Sequence, residues 1–99
     1  MKVLRLALKG EYFDAIKAGT KTEEYRLCTP YWDKRLRDLV YDLIALTRGY
    51  PARSDLEAHL TMPWRGGCQK TITHPHFGPD PVLVYAITVE CVPLSKSNP

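Results

Sequence analysis

The chain has 99 residues, of which 44% are hydrophobic and 25% charged, with a formal net charge of +3. A chain of this length makes one domain, whose small core hides about 60–65% of the unfolded surface. Its longest apolar runs, such as residues 82–87, are far too short for a helix that spans a bilayer.

Charge is unevenly spread. Residues 1–53 carry eleven Lys or Arg against seven Asp or Glu, a net of +4, and the remainder carries three against four, a net of −1. A basic half attracts a polyanionic partner through long-range fields. The opening residues lack the long apolar segment of a signal peptide. Cys28, Cys68 and Cys91 are odd in number and have no paired spacing. They read as reduced thiols of a cytoplasmic protein, not as a disulfide framework.

Val3, Leu4, Leu6 and Leu8 lie among Arg5 and Lys9 in rough alternation, the pattern of a first strand with one buried face. Gly10 permits a sharp turn. Residues 11–18 form a short helix with Tyr12, Phe13 and Ile16 on its apolar face. Gly19 fits the left-handed position that ends it. The chain then extends over residues 23–27. There Glu24 and Arg26 share one face, while Glu23 and Tyr25 share the other, Tyr25 toward the core. Lys21 sits in the intervening turn. An ammonium, a carboxylate and a guanidinium thus meet at the mouth of one strand.

Thr29 is placed to cap a second helix and Pro30 to open it. Over residues 31–39, Trp32, Leu36 and Leu39 recur at helical spacing and face the core. Lys34, Arg35 and Arg37 point outward, either as a solvated basic face or as a clamp for phosphates. Residues 41–48 read as a central strand, with Ile44 and Leu46 on one side and Leu43, Ala45 and Thr47 on the other. Arg48 and Tyr50 share a parity at its end and reach toward a pocket.

Ser54 and Glu57 have capping-box spacing for a short helix to residue 60. Residues 62–67 read as a loop. Trp64 in that loop either stacks on a base or plugs the open end of a barrel. Residues 69–73 are a weak strand and residues 74–81 an irregular, turn-rich loop. Pro75 holds His74 and His76 extended, pointing the same way. Residues 82–92 are the clearest strand, ended by Pro93, and residues 95–99 read as a flexible tail after one domain over residues 1–94. Short strands with few helices predict a mainly β, α+β chain forming a small, partly open barrel. Parallel α/β architecture is disfavoured, because the crossover helices it needs are mostly missing.

Candidate chemistry narrows quickly. Cys68, His74, His76, Asp80 and Glu90 lack the tight spacing of a structural zinc site. No protein metal site is assigned, although a divalent ion as cofactor stays open. His74 or His76 remains a ligand-contacting group. No serine nucleophile has a credible triad. The densest constellation is Lys21, Glu24 and Arg26. Those three either pin the helix–strand turn as an ion-pair network or act on a guest by moving a proton and holding a phosphate or carboxylate.

Gly19-x-Lys21-x-x-Glu24-x-Arg26, placed after a first strand and a short helix, resembles the signature of ASCH domains, small β-barrels related to the PUA domain. The resemblance matches all four spaced positions and weakens after about residue 50. It implies a PUA-like fold and a partner that is single-stranded RNA, a nucleotide or a modified nucleoside. Some stand-alone members resemble ribonucleases. Others are amidohydrolases that deacetylate N4-acetylcytidine with a lysine, a threonine and a glutamate. Lys21 matches that lysine. The threonine falls where this chain has Glu24, with Thr22 two residues earlier, and only Glu90 offers itself as the later glutamate. In the ribonuclease version, Glu24 takes the 2′-hydroxyl proton, Lys21 or Arg26 neutralises phosphoryl charge, and Lys21 can also protonate the leaving oxygen. Arg48 and Tyr50 then position the nucleotide, and Arg35 and Arg37 hold flanking phosphates. A non-enzymatic RNA or nucleotide reader is the third reading.

Overall fold

A computed structural model describes residues 1–37 and 39–90. The order is β1 (Val3–Leu8), α1 (Gly10–Ala18), β2 (Glu23–Leu27), α2 (Pro30–Leu36), β3 (Leu43–Arg48), β4 (His59–Pro63), β5 (Gly67–Ile72) and β6 (Val82–Thr88). Among these residues the strands make two three-stranded sheets and no closed barrel. The mainly β, α+β expectation holds at that level. No helix of the described residues is long and apolar enough to cross a membrane.

In the first sheet β1 runs parallel to β3, and β3 pairs antiparallel with β4. That parallel pair departs from the sequence expectation. The crossover between its strands includes α1, β2 and α2, so short helices suffice. The second sheet is antiparallel, in the order β2, β6, β5. Alternation on β1 and β3 buries Leu4, Leu6, Leu8, Ile44 and Leu46 on one face. Phe13 and Ile16 of α1, Met62 of β4, and Ile87 and Val89 join them in one core. Trp32, Leu36, Tyr41, Leu60 and Trp64 pack around it, half-buried.

Gly19 ends α1 with φ of 84°, and its N–H reaches the Ile16 carbonyl at 3.0 Å. Thr20 N–H turns back to the Ala15 carbonyl, also at 3.0 Å. This glycine-terminated cap aims the chain directly into β2. At α2, the Thr29 hydroxyl accepts from Trp32 N–H at 3.4 Å, as the capping sequence predicts.

The segment after β3 needs correction. The helix expected from Ser54 shrinks to a single 3-10 turn at Leu56–Ala58, followed directly by β4. Leu60 and Met62 alternate with the exposed Thr61, and that two-residue period prevails over the capping pattern. Met62 and Pro63, expected in a loop, belong to this strand. β4 is an edge strand, where a missing proline N–H is tolerated. The expected end of the last strand at residues 91–93 and the tail at residues 95–99 lie outside the described residues. Cys28 is half-buried and Cys68 exposed, both as free thiols, and Cys91 also lies outside the described residues.

Candidate functional site

The α1–β2 turn delivers its charges into a cavity of about 100 Å³. Lys21, Glu24, Arg26 and His76 line it, together with the rings of Tyr12, Tyr25, His74 and Phe77 and the β1–α1 corner. Glu24 is the most buried of the charged groups, at 5% exposure. Register explains this: Glu24 lies opposite the fully buried Ile87 on the central strand of its sheet.

Two cations flank that carboxylate. Lys21 Nζ lies 3.7 Å from Oε1, and Arg26 Nη2 lies 3.2 Å from Oε2. Burial pushes the Glu24 carboxyl above its ordinary range, while Arg26 and then Lys21 pull it back. The net direction is upward, so the folded chain holds the Glu24 proton more tightly than a free carboxyl does.

Both cations are held by aromatic rings. Lys21 Nζ sits 5.2 Å from the Tyr12 ring centre and 4.8 Å from that of Tyr25. The Arg26 guanidinium lies 5.3 Å from the Trp32 ring and donates to the Ala7 carbonyl at 3.3 Å. Such contacts favour a cation at a partly desolvated site. Arg26 Nε is buried without a hydrogen-bond partner among the described residues. The guanidinium is therefore anchored to β1 and α2 and has donor capacity to spare.

Tyr25 corrects a sequence expectation. It lines the cavity instead of filling the core. Its hydroxyl donates to Glu23 Oε1 at 3.0 Å, and Lys70 Nζ donates to the same oxygen at 2.6 Å. The Lys70 hydrogen bond holds the Glu23 carboxyl below its usual range, while burial and then the Glu23 contact raise the Tyr25 phenol. Glu23 and Lys70 so fix the ring against which Lys21 rests.

The histidine loop also differs from expectation. Pro75–Phe77 form a 3-10 turn, not an extended stretch, and His76 N–H bonds back to His74 Nδ1 at 3.1 Å. The Tyr12 ring packs edge-on against both imidazoles, at 5.9 and 6.0 Å. Burial, and then Lys9, push the His76 imidazole below its ordinary value. Among the described residues no three His, Cys, Asp or Glu gather as a metal-ligand cluster.

Other predicted site residues stand apart from this cavity. Arg48 pairs with Asp14 at 3.2 Å on the surface and ties the end of β3 to α1. Arg35 lies 3.6 Å from the Tyr31 ring centre and donates to the Tyr31 carbonyl. Arg37 pairs with Asp33 at 3.5 Å. Trp64 packs against Tyr41, 5.2 Å between ring centres, and lines a separate groove with Arg37. Tyr50 is almost fully exposed in yet another groove. Their separation follows from strand ends and loops, whose directions one-dimensional parity does not fix.

Tyr12, Tyr25 and Phe77 were not legible as cavity residues, whereas His74 and His76, expected to contact a ligand, both line it. Tyr12 offered one signal, because the turn that returns Lys21 past the end of α1 brings it onto the helix face that Tyr12 occupies. The whole is a small α+β domain with a buried carboxylate between two cations in a ring-lined cavity. No protein-family model, no curated protein and no solved structure matches this chain.

Proposed function

We propose that this is an ASCH-like domain of the PUA-related, partly open barrel type, acting in the cytoplasm on single-stranded RNA or a nucleotide. The carrying observation is the Glu24 carboxylate, held between Lys21 and Arg26 inside the aromatic cavity. Rings accept a base by stacking, and the guanidinium matches a phosphate or a base carbonyl. A carboxyl raised by burial suits a general base.

The chemistry that follows is ribonucleolytic transfer. Glu24 takes the proton of a ribose 2′-hydroxyl as its oxygen attacks the adjacent phosphorus. The bond to the 5′-oxygen breaks, and Lys21 donates a proton to that oxygen. Arg26 neutralises charge on the phosphoryl oxygens. The products are a 2′,3′-cyclic phosphate and a free 5′-hydroxyl. His76, at the rim of the cavity, faces the base. The test is binding and cleavage of single-stranded RNA at low salt. Wild-type protein binds and yields cyclic-phosphate ends, and Glu24→Gln binds without cleaving. Protein that neither binds nor cleaves refutes the reading. Binding with no cleavage by wild type leaves a non-enzymatic reader.

The narrow cavity favours a second reading, deacetylation of an N4-acetylcytidine-type nucleoside, because it suits one small planar group better than a strand. Lys21 then activates water, and Glu24 carries the proton to the departing amine. Thr22 and Glu90 are both exposed and absent from the cavity lining, which counts against it. Release of cytidine from N4-acetylcytidine decides between the two.

A further inference from the structure

The outward face of the first sheet carries a second recognition surface. Burial of Leu4, Leu6 and Leu8 turns Arg5 and Ala7 to the opposite side of β1. Register then aligns two rows across the sheet: Arg5, Ala45 and Thr61, and Ala7, Thr47 and His59. Small side chains at the centre of both rows leave a groove of about 760 Å³. Tyr31 and Trp32 of α2 border it, as do Tyr50 and Arg53 beyond β3.

Charge and exposed rings say what fits there. Arg5, Arg26 and Arg53 line the groove, and no carboxylate does. Among the described residues neither Arg5 nor Arg53 has an ion-pair partner, unlike Arg48 with Asp14. Tyr50 is 96% exposed and Tyr31 is 56% exposed. An exposed ring beside unpaired guanidinium groups is the combination that holds unpaired bases and their phosphates. Ala7 and Arg26 line both this groove and the charged cavity, so the two recesses adjoin at these residues.

We propose that this groove is the track for the strand flanking the nucleotide in the cavity, with a base stacked on Tyr50 and phosphates met by Arg5 and Arg53. The strand's course past Arg26 rests on the nucleotide reading of the cavity; the groove's affinity for a single strand does not. An acidic peptide matches the charge alone and has no base for the Tyr50 ring.

The experiment compares a labelled single-stranded RNA hexamer with cytidine monophosphate, using wild type, Arg5→Gln, Arg53→Gln and Tyr50→Ala. The hexamer binds wild type more tightly than the mononucleotide does. Each arginine variant weakens the hexamer and lowers its salt slope by about 0.7, the value for one single-strand phosphate contact. Tyr50→Ala weakens the hexamer about 5- to 150-fold, the range of one base stack. Mononucleotide binding stays within about twofold in all three variants, since none lines the cavity. Hexamer affinity unchanged in all three variants overturns the track. Equal competition by a poly-glutamate peptide also overturns it, in favour of an acidic protein partner. Hexamer binding that depends on Arg5 and Arg53 without any mononucleotide binding sustains the track and refutes the cavity reading.

Discussion

Arg26→Met isolates the electrostatic centre of the molecule. The substitution keeps an apolar stem beside Trp32 and removes the guanidinium 3.2 Å from Glu24. Breaking a buried pair from one side costs about 3–5 kcal/mol, because the remaining charge is stranded. Two features moderate that figure here. The Arg26 side chain keeps 22% of its exposure, and Lys21 stays 3.7 Å from the other carboxylate oxygen. The expected cost at pH 7 is about 2–3 kcal/mol, or about 10–20 °C in melting temperature for a domain of this size. Its pH dependence has a definite sign. Burial raises the Glu24 carboxyl, so the folded chain holds that proton more tightly than the unfolded one. The stabilisation is full below the unfolded value of 4.5 and is lost as pH rises through the raised folded value. Loss of Arg26 lifts the folded value further, so the gap from wild type is wide at pH 7 and narrows toward pH 4.5. Thermal melts followed by circular dichroism at several pH values measure it. A double variant, Glu24→Gln with Arg26→Met, recovers most of the loss. A gap that is constant with pH, or no recovery in the double variant, refutes the reasoning.

Glu24→Gln alone melts no lower than wild type at pH 7, and any advantage fades toward pH 4.5, as a parallel melt series shows. Lys70→Met removes a half-exposed pair with Glu23 and lowers the urea midpoint only slightly. The lowered Glu23 carboxyl makes that small loss present above pH 4.5 and absent once the pH falls through its folded value. Gly67→Ala places a Cβ 2.6 Å from the Ala86 backbone oxygen, which cannot yield, and lowers stability by about 1–3 kcal/mol. Gly10→Ala meets only the far end of the exposed Arg48 side chain at 2.6 Å, which can swing aside, so its change stays within about 0.5 kcal/mol, and the same unfolding curves separate the two glycines.

Much of the fold was legible because its signals are local. The leucine alternation of β1, the Gly19 cap and the Thr29–Pro30 helix start each depend on neighbours within a few residues. The meeting of Lys21, Glu24 and Arg26 followed from one turn and one strand parity, so sequence spacing alone brought them together. What escaped depends on register between distant strands. The parallel pairing of β1 with β3 joins residues forty positions apart, and nothing in either strand announces its direction. β4 was hidden by capping-box spacing at Ser54 and Glu57, although Glu57 in fact pairs with Lys17 at 2.6 Å. Arg48 shares a parity with cavity-seeking residues but meets Asp14 first, a partner from α1 that parity does not reveal. Tyr12 and Tyr25 illustrate a further limit, since a ring that packs on a lysine reads in sequence like one that packs in a core.

The central claim is that the cavity at the α1–β2 turn, not another recess, receives the nucleotide. Titration of cytidine monophosphate into isotope-labelled protein at low salt, followed by amide chemical shifts, tests it most directly. The account predicts saturable shifts at Lys21, Glu24, Tyr25 and Arg26 and in the His74–Phe77 turn, abolished in Lys21→Met protein that still gives a folded spectrum. Shifts that cluster at Trp64 and Arg37 instead, or persist undiminished in Lys21→Met, contradict it.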